Sequence, residues 1–113
     1  MFMTQIEWAD FEKIDLRVGT ILKAETFKEA KKPAYKLWID LGVLGEKKSS
    51  AQVTKLYKPS ELIGKQVLCV CNLKPRQIGP IMSEVLVTGF VLEDQAVVVV
   101  EPERAVPDGT KLA

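Results

Sequence analysis

The sequence has no histidine, only two cysteines, and no apolar run of the roughly 18 to 20 residues that a membrane-spanning helix requires. The lack of histidine excludes nucleophilic catalysis of the Ser-His-Asp and Cys-His types. Cys69 and Cys71 lie two apart in an apolar stretch, and on a strand such side chains stand roughly 7 Å apart, which disfavours a disulfide. Two thiols alone are too few to hold a structural zinc ion. We expect reduced core cysteines, with redox sensing as the alternative, and no metal, cofactor or catalytic residue.

The first residues do not resemble a secretory leader. The opening MFMTQIEWADFEK carries acids where a signal peptide carries a basic and then an apolar segment. We therefore expect a cytoplasmic protein that does not insert into a membrane. The length is sufficient for one domain with a real core, over residues 1–113. Thr4 and Glu7 match a helix capping box, so we expect a helical N-terminal extension over 1–14, and a C-terminal extension over 96–113.

Charge is unevenly distributed, although the net charge is only +1. Residues 13–76 hold 14 Lys and Arg against 6 Asp and Glu, whereas both ends of the chain are acidic. A basic middle can focus a positive potential on one surface. Scattered solubilising lysines are the alternative interpretation, and the fold has to decide between the two.

Apolar and polar residues alternate in several short stretches, which is typical of β-strands. The alternation predicts a strand in DLRVGTILKAET, with Leu22 facing inward, Lys23 and Glu25 on the polar side, and a bulge or a sharp coil of the strand at Gly19. Further strands are predicted in YKLWIDLG, KSSAQVT, KQVLCVCNL, EVLVTGFV and AVVVVEP. In the first of these, Tyr35, Leu37, Ile39 and Leu41 lie on one face and Lys36, Trp38 and Asp40 on the other. A short helical link, LYKPSELIGK, separates the third strand from the fourth, with Pro59 near its start and Gly64 at its end. This order predicts an all-β fold, a five-stranded OB-fold barrel with a short helix between strands 3 and 4 and with N- and C-terminal extensions.

In such barrels, the face of the second and third strands binds nucleic acid together with the first and fourth connecting loops. Here those loops are KEAKKPA (28–34) and a Pro- and Gly-containing stretch over 74–82, and both are basic. Strand parity also places Lys48, Ser50, Gln52 and Thr54 on one polar face. The barrel therefore favours a basic binding surface over scattered lysines.

Five stretches of the sequence resemble the tRNA-binding domain of the EMAP II type. They are DFEKIDLRVGTILKAE, KLWIDLG, KKSSAQVTKLY, GKQVLCVCNLKPRQIGPIMSEVLV and VPDGTKL, and the resemblance covers residues 10–112. That domain is found alone and appended to methionyl- and phenylalanyl-tRNA synthetases. The synthetase-appended form has an HPNADKL-like loop where this chain has KEAKKPAYKL, so the resemblance is to the stand-alone bacterial branch. Members of that branch are described as dimeric tRNA-binding proteins and as export-related chaperones.

The resemblance implies a non-catalytic, homodimeric protein that binds the outside of the tRNA fold. Matched motif by motif, it implies tRNA contacts for Arg17, Ser50, Gln52, Asn72, Lys74, Arg76 and Ser83. Neighbouring basic residues that we add as candidates are Lys31, Lys32 and Lys36. The alternative function is a chaperone that holds unfolded preproteins. Salt-dependent RNA binding would support the first function, and salt-insensitive suppression of aggregation would support the second.

Aromatic residues indicate where partners could bind. Trp8 and Phe11, with the apolar sixth strand AVVVV, offer more apolar surface than a small barrel should expose, so we expect a dimer interface there. Trp38 lies on the polar face of the second strand, between charged residues. A dimer or packing contact, a contact with a client peptide and stacking of a base all remain open for Trp38.

Overall fold

The computed structural model describes residues 3–113, and within them short strands predominate, so the predicted all-β class is confirmed. The helices are α1 (Trp8–Glu12) and α2 (Pro59–Leu62), with one 3-10 turn at Gly42–Leu44. The strands are β1 (Leu16–Thr26), β2 (Tyr35–Asp40), β3 (Glu46–Ala51), β4 (Gln66–Val70), β5 (Arg76–Ile78), β6 (Ile81–Ser83), β7 (Leu86–Val87), β8 (Gly89–Val91) and β9 (Val97–Val99).

Five strands form one antiparallel sheet in the order β3-β2-β1-β4-β7, and α2 connects β3 to β4. This is the predicted OB-type arrangement. The sheet nearly closes into a barrel, because β3 bonds to the residues that precede β7. The backbone N–H of Glu84 donates to the carbonyl of Lys48 (2.8 Å), and the N–H of Ser50 donates to Oγ of Ser83 (3.0 Å).

The second strand shows how the alternating sequence builds the core. Tyr35, Leu37 and Ile39 point into the barrel and are buried, whereas Lys36 and Trp38 on the outer face are half-buried. The predicted faces of this strand are therefore confirmed. Burying one large aliphatic side chain stabilises a fold by about 1.5–3 kcal/mol. The largest fully buried apolar side chains are Ile21, Leu37, Ile39, Leu41, Leu62, Val67 and Cys69.

The first strand carries a bulge, but at a different residue from the predicted one. The register between β1 and β2 shifts between Ile21 and Lys23, so Leu22 has no partner on β2 and is exposed. The prediction of an inward Leu22 was therefore wrong, and of the two alternatives for Gly19 the bulge lies elsewhere, between Ile21 and Lys23. Gly19 instead lies close to the point where β1 changes partner from β4 to β2. A Cβ at Gly19 would lie only 2.6 Å from Cγ2 of Ile39, so the strands cross too closely there for a side chain.

The connection over residues 74–82, predicted as a loop, contains a β-hairpin formed by β5 and β6. Gly79 lies in the turn with φ of +52°, a left-handed conformation that glycine adopts without steric cost. Each strand has only three residues, so no alternation is visible in the sequence. That brevity explains why the hairpin was missed.

The N-terminal helix is present, but it begins later than predicted. The backbone N–H of Glu7 donates to Oδ2 of Asp10 (3.0 Å), so the residues that cap α1 are these two and not Thr4 with Glu7. The C-cap glycine predicted for the second helix, Gly64, adopts φ of +89° just after α2. No helix in residues 3–113 is long and apolar enough to cross a membrane.

The end of the chain runs back along the barrel. The predicted fifth strand is split into β7, which pairs with β4, and β8, which pairs with β9. The last residues then follow β1. The carbonyl of Thr110 accepts from the N–H of Val18 (3.0 Å), and the N–H of Leu112 donates to the carbonyl of Leu16 (2.8 Å). The C-terminal tail is therefore hydrogen-bonded to β1, the middle strand of the sheet.

Candidate nucleic-acid interface

The outer face of the sheet carries a row of polar side chains that continues into the hairpin; we call it row 1. Glu25 on β1 pairs with Lys36 on β2, which pairs with Ser50 on β3. The N–H of Ser50 donates to Oγ of Ser83, and Ser83 pairs with Arg76 within the hairpin. Four of the residues predicted to contact tRNA, from Lys36 to Arg76, are thus brought together.

A second row lies beside the first; we call it row 2. It runs from Lys23 on β1 through Trp38 on β2 to Lys48 on β3. Nζ of Lys23 lies 4.7 Å from the centroid of the Trp38 ring and 3.3 Å from Oε2 of Glu25. The other oxygen of Glu25 lies 3.8 Å from Nζ of Lys36. One carboxylate thus contacts a lysine from each row.

The two basic connections at the rim of the barrel contact each other. Phe27 is buried at the base of the loop over 27–34. A Cβ at Gly79, in the turn of the β5–β6 hairpin, would lie 3.3 Å from Cβ of Glu29 and 3.7 Å from the Phe27 ring. The hairpin therefore rests on the loop, and the two connections form one edge of the polar face.

Most of the predicted cations on this edge are available to an anion. Lys31, Lys32, Lys74 and Arg76 are exposed, and within residues 3–113 none of them forms an ion pair. Exposed, unpaired cations can contact phosphate without first breaking an internal bond, and such contacts supply most of the affinity of non-specific nucleic-acid binding. Lys36, in contrast, forms an ion pair with Glu25, which also pairs with Lys23.

Arg17 and Asn72 lie in a separate group at the start of β1, where their polar atoms bond within the chain. Nε of Arg17 donates to Oδ1 of Asp15 (2.9 Å), which raises the pKa of the guanidinium, and Nη1 donates to the carbonyl of Gly109 (3.4 Å). Asn72 accepts from the N–H of Asp15 (2.9 Å) and donates to the carbonyl of Lys13 (2.6 Å). The structure does not place these two side chains in either row, and their contact with tRNA stays a prediction.

Gln52, the remaining predicted contact, is exposed just beyond the end of β3. Sequence reasoning placed Lys23 and Glu25 on the polar side of the first strand without selecting them as site residues, and only the register with β2 shows that they lie beside Trp38 and Lys36. It placed Lys48 on the correct face without selecting it as a site residue. Strand parity was the signal that could have found Lys48.

Two apolar surfaces lie on other elements. The exposed Trp8 and the half-buried Phe11 stack at 5.2 Å between ring centroids, and with Ile14 and Leu112 they line a groove of about 200 Å³. The β8–β9 hairpin and the turn within it expose a further set, Phe90, Val91, Leu92 and Val98. Trp8, Phe11 and the sixth predicted strand are the segments for which we expected a dimer interface.

Both cysteines are free thiols. Burial raises the pKa of Cys69 to about 12 and also raises the pKa of the half-buried Cys71. Both side chains are therefore protonated at neutral pH, and neither thiolate is available as a nucleophile.

The OB-type barrel, with its cationic outer face and two basic connections at its rim, belongs to the OB class of folds, in which many members bind oligonucleotides. The match to a family model agrees with this class of fold and assigns the chain to one family within it. The model described as "Putative tRNA binding domain" matches residues 16–111, and the chain belongs to that family.

The similar curated proteins are much longer than this chain. They include methionine–tRNA ligases of Methanocaldococcus jannaschii (36% identical over 111 residues, 97% of this chain) and Bdellovibrio bacteriovorus (43% over 83 residues, 74% of this chain). The chain spans only 17% and 12% of the length of these two relatives.

Three similar solved structures are matched over their whole length. Chaperone CsaA of Bacillus anthracis is 47% identical with a TM-score of 0.92, and the match covers 97% of this chain and all of that one. CsaA of Picrophilus torridus is 47% identical with a TM-score of 0.90, over 96% and 100% of the two chains. A MetRS-related protein of Pyrococcus horikoshii is 30% identical with a TM-score of 0.86, over 98% and 100%. These matches confirm the predicted resemblance to stand-alone, CsaA-type members.

Proposed function

We propose that this protein is a cytoplasmic, non-catalytic homodimer that binds tRNA by its folded shape, through the outer face of the barrel. The observation that carries the proposal is row 1, Lys36, Ser50, Ser83 and Arg76, flanked by the exposed cations of the two basic connections. Cations and hydroxyl groups contact phosphate and sugar, which positions a nucleic acid without reading its bases. This face therefore suits the backbone of a folded RNA.

The hairpin that carries Arg76 is held in place before any ligand binds. Its turn at Gly79 rests on the loop over 27–34, and Ser83 at its base accepts a hydrogen bond from β3. Pro75, between Lys74 and Arg76, restricts the backbone further because its φ is fixed. Binding therefore orders little additional chain, which favours affinity.

We propose that the chain contributes RNA binding and no reaction. The ligase activity belongs, by name, to relatives of which this chain matches 12–17%. The sequence offers no histidine for acid-base chemistry, and in residues 3–113 no three metal-ligating side chains lie together. A measurement of ATP turnover with methionine and tRNA should accordingly show no activity above background.

The main test removes the two cations around Pro75. Lys74→Ala/Arg76→Ala should nearly abolish tRNA binding and make the slope of log affinity against log salt shallower by about 2, because two phosphate contacts are lost. Arg76→Lys should lose part of the affinity although the charge is kept, since a lysine cannot meet a phosphate with two parallel donors. Filter binding or fluorescence anisotropy at four or more salt concentrations measures both quantities.

A matched control removes the same charge elsewhere. Lys58→Ala/Arg104→Ala replaces two exposed cations, one at the start of α2 and one in the C-terminal tail. This control should leave both affinity and slope close to those of the wild type. All variants should melt within a few degrees of the wild type, because exposed substitutions typically change stability by about 0.5 kcal/mol or less. If the Lys74/Arg76 variant binds like the wild type, the proposed face is wrong.

Recognition of shape has its own test. A folded tRNA should outcompete an unstructured RNA of equal length and charge, because only the folded molecule presents phosphates in a fixed three-dimensional arrangement. Equal competition would identify a general polyanion binder.

The homodimer is proposed from the apolar groove beside α1, which Trp8 and Phe11 line. Two-fold pairing is the commonest way in which a soluble protein covers such surfaces. Light scattering should give twice the chain mass at micromolar concentration, and Phe11→Asp should lower it towards the monomer with an unchanged circular dichroism spectrum. A wild-type monomer would refute this part of the proposal without affecting RNA binding.

A second function, holding unfolded export clients, is favoured by one observation. The side chains of Phe90 and Val91 are 63% and 65% exposed on the β8–β9 hairpin, and the two similar CsaA structures are named chaperones. The protein should then suppress aggregation of a reduced, unfolded client, and salt should affect this little because apolar burial drives it. Phe90→Ser should weaken suppression and leave tRNA binding intact.

A further inference from the structure

Trp38 lies in the middle of the outer face, half-buried, between Lys23 on β1 and Lys48 on β3. Its neighbours two positions away along β2 are charged as well. Leu22, which precedes Lys23 in the chain, is exposed as well because the bulge leaves it without a partner on β2. The Trp38 ring therefore lies among charged groups on the outer face of the sheet, which does not form the hydrophobic core.

The ring already interacts with a cation. Nζ of Lys23 lies 4.7 Å from the centroid of Trp38, within the range of a cation–π contact. Glu25 holds the same lysine at 3.3 Å and the neighbouring Lys36 at 3.8 Å. The site therefore consists of an indole ring with the ammonium of Lys23 over it, and of a second lysine that shares the same carboxylate. A base that stacks on this side of the ring takes the place of that ammonium.

We propose that Trp38 stacks on an unpaired nucleobase of the bound RNA, and that the phosphate next to this base takes the place of Glu25 between Lys23 and Lys36. The inference rests on the proposed RNA-binding function and adds a contact to a base where the rest of the face contacts backbone. Stacking on aromatic side chains is a general means of holding single-stranded nucleotides, and every base offers a flat face for it.

The charged residues around Trp38 disfavour an apolar partner at this position. An unfolded client or a second copy of the chain needs continuous apolar surface, and the exposed apolar clusters of this chain lie beside α1 and on β8–β9 instead. A nucleotide combines an apolar flat ring with a negative charge a few ångströms away. That combination matches one indole next to Lys23, Lys36 and Lys48.

Replacing Glu25 by a phosphate should be easy. The side chains of Lys23 and Glu25 are 58% and 43% exposed, and ion pairs at such exposure contribute little to stability. The carboxylate therefore keeps the two lysines in place without holding them strongly. Glu25 also competes with the ligand, so removing its charge should strengthen binding.

The experiment uses the intrinsic fluorescence of the full chain. The sequence has two tryptophans, so Trp8→Phe leaves Trp38 as the only tryptophan, and excitation at a wavelength that tyrosine does not absorb isolates its emission. The probes are a folded tRNA, a short single-stranded RNA, and an abasic oligonucleotide with the same number of phosphates. The two RNAs with bases should quench Trp38 in proportion to binding. The abasic oligonucleotide should bind with the same salt slope and quench little.

Substitutions give a second measurement. Trp38→Ala should lose about tenfold or more in affinity for the single-stranded RNA, the effect of one stacked base, with an unchanged salt slope because no phosphate contact is lost. Trp38→Phe should keep most of the affinity. Glu25→Gln should bind more tightly than the wild type. Circular dichroism and melting show whether each variant is folded, and the quenching measurement stands without any change at Trp38.

The outcomes separate this inference from the function on which it rests. If tRNA binds with a steep salt slope but neither RNA quenches Trp38 and Trp38→Ala binds normally, the stacking site is refuted and the RNA-binding function stands. If the wild type binds no RNA at all, the proposed function itself fails. Quenching by a reduced, unfolded protein instead of RNA, or conversion of the dimer to a monomer by Trp38→Ala, would overturn the inference in favour of a client or dimer contact.

Discussion

The side chain of Asn72 connects the end of β4 to the segment before β1, and its replacement by alanine tests what that connection contributes. The side chain accepts from the N–H of Asp15 at 2.9 Å and donates to the carbonyl of Lys13 at 2.6 Å. One net hydrogen bond stabilises a protein by about 0.5–1.5 kcal/mol. Both bonds are exposed to solvent, so Asn72→Ala should lower the free energy of unfolding by about 1–2 kcal/mol. For a domain of this size the melting temperature should fall by roughly 5–10 °C.

The assay combines urea denaturation with tRNA titration at several salt concentrations, at a temperature where every variant is folded. Asn72→Asp is the matched variant: it keeps the acceptor for Asp15 but replaces the donor by a carboxylate oxygen that faces the carbonyl of Lys13, so it should be destabilised at least as much as Asn72→Ala. For both variants the salt slope should equal that of the wild type, since no phosphate contact is removed. If Asn72→Ala keeps its stability but loses tenfold in tRNA affinity, the side chain binds tRNA directly and the structural role is wrong. Unchanged stability together with unchanged affinity would refute the magnitude assigned to the two bonds.

Three further predictions concern the barrel itself. Ser49 is 1% exposed and its Oγ has no hydrogen-bond partner within residues 3–113, so Ser49→Ala should raise the free energy of unfolding by about 1 kcal/mol in urea denaturation; a loss of stability would show that the hydroxyl is satisfied. Gly19→Ala places a Cβ 2.6 Å from Ile39 and should lower the free energy of unfolding by about 1–3 kcal/mol, the usual effect of overpacking; an unchanged urea midpoint would mean that β1 can move away. The pKa of Cys69 is about 12 in the folded chain against an ordinary value of 9.0, so the folded state keeps this proton to a higher pH than the unfolded state does. The contribution of this thiol to the free energy of unfolding should therefore be constant below pH 9 and fall above it by up to about 1.4 kcal/mol per pH unit. Cys69→Val should lessen that fall, and an equal fall in this variant would assign it to other groups.

The parts of the fold that follow from local sequence could be predicted. Alternation in YKLWIDLG placed Tyr35, Leu37 and Ile39 inside the barrel because a strand has a period of two. Pro59 and Gly64 marked the beginning and the end of α2, since each fits only one end of a helix. The position of that helix between β3 and β4 then identified the class of barrel.

The site depends on contacts between distant residues, which no local pattern encodes. Row 1 exists because Ser83 accepts from Ser50, 33 positions away in the chain. A motif resemblance transferred Arg17 and Asn72 as tRNA contacts, but it could not show that their polar atoms bond to Asp15, Lys13 and the C-terminal tail. The bulge at Leu22 was enough to put that side chain on the wrong side of β1 in the sequence prediction.

The polar rows and the apolar surfaces lie on different elements of one small barrel, and this separation bears on the two proposed functions. Cations on β1–β3, the 27–34 loop and the β5–β6 hairpin act through charge, so their binding must weaken as salt rises. Phe90 and its neighbours on the β8–β9 hairpin act through apolar burial, which salt affects little. An RNA on the polar rows would leave that hairpin uncovered, so client binding and tRNA binding need not exclude each other. Competition between tRNA and an unfolded client would therefore indicate that the client uses the polar face after all, with Trp38 as the first residue to test.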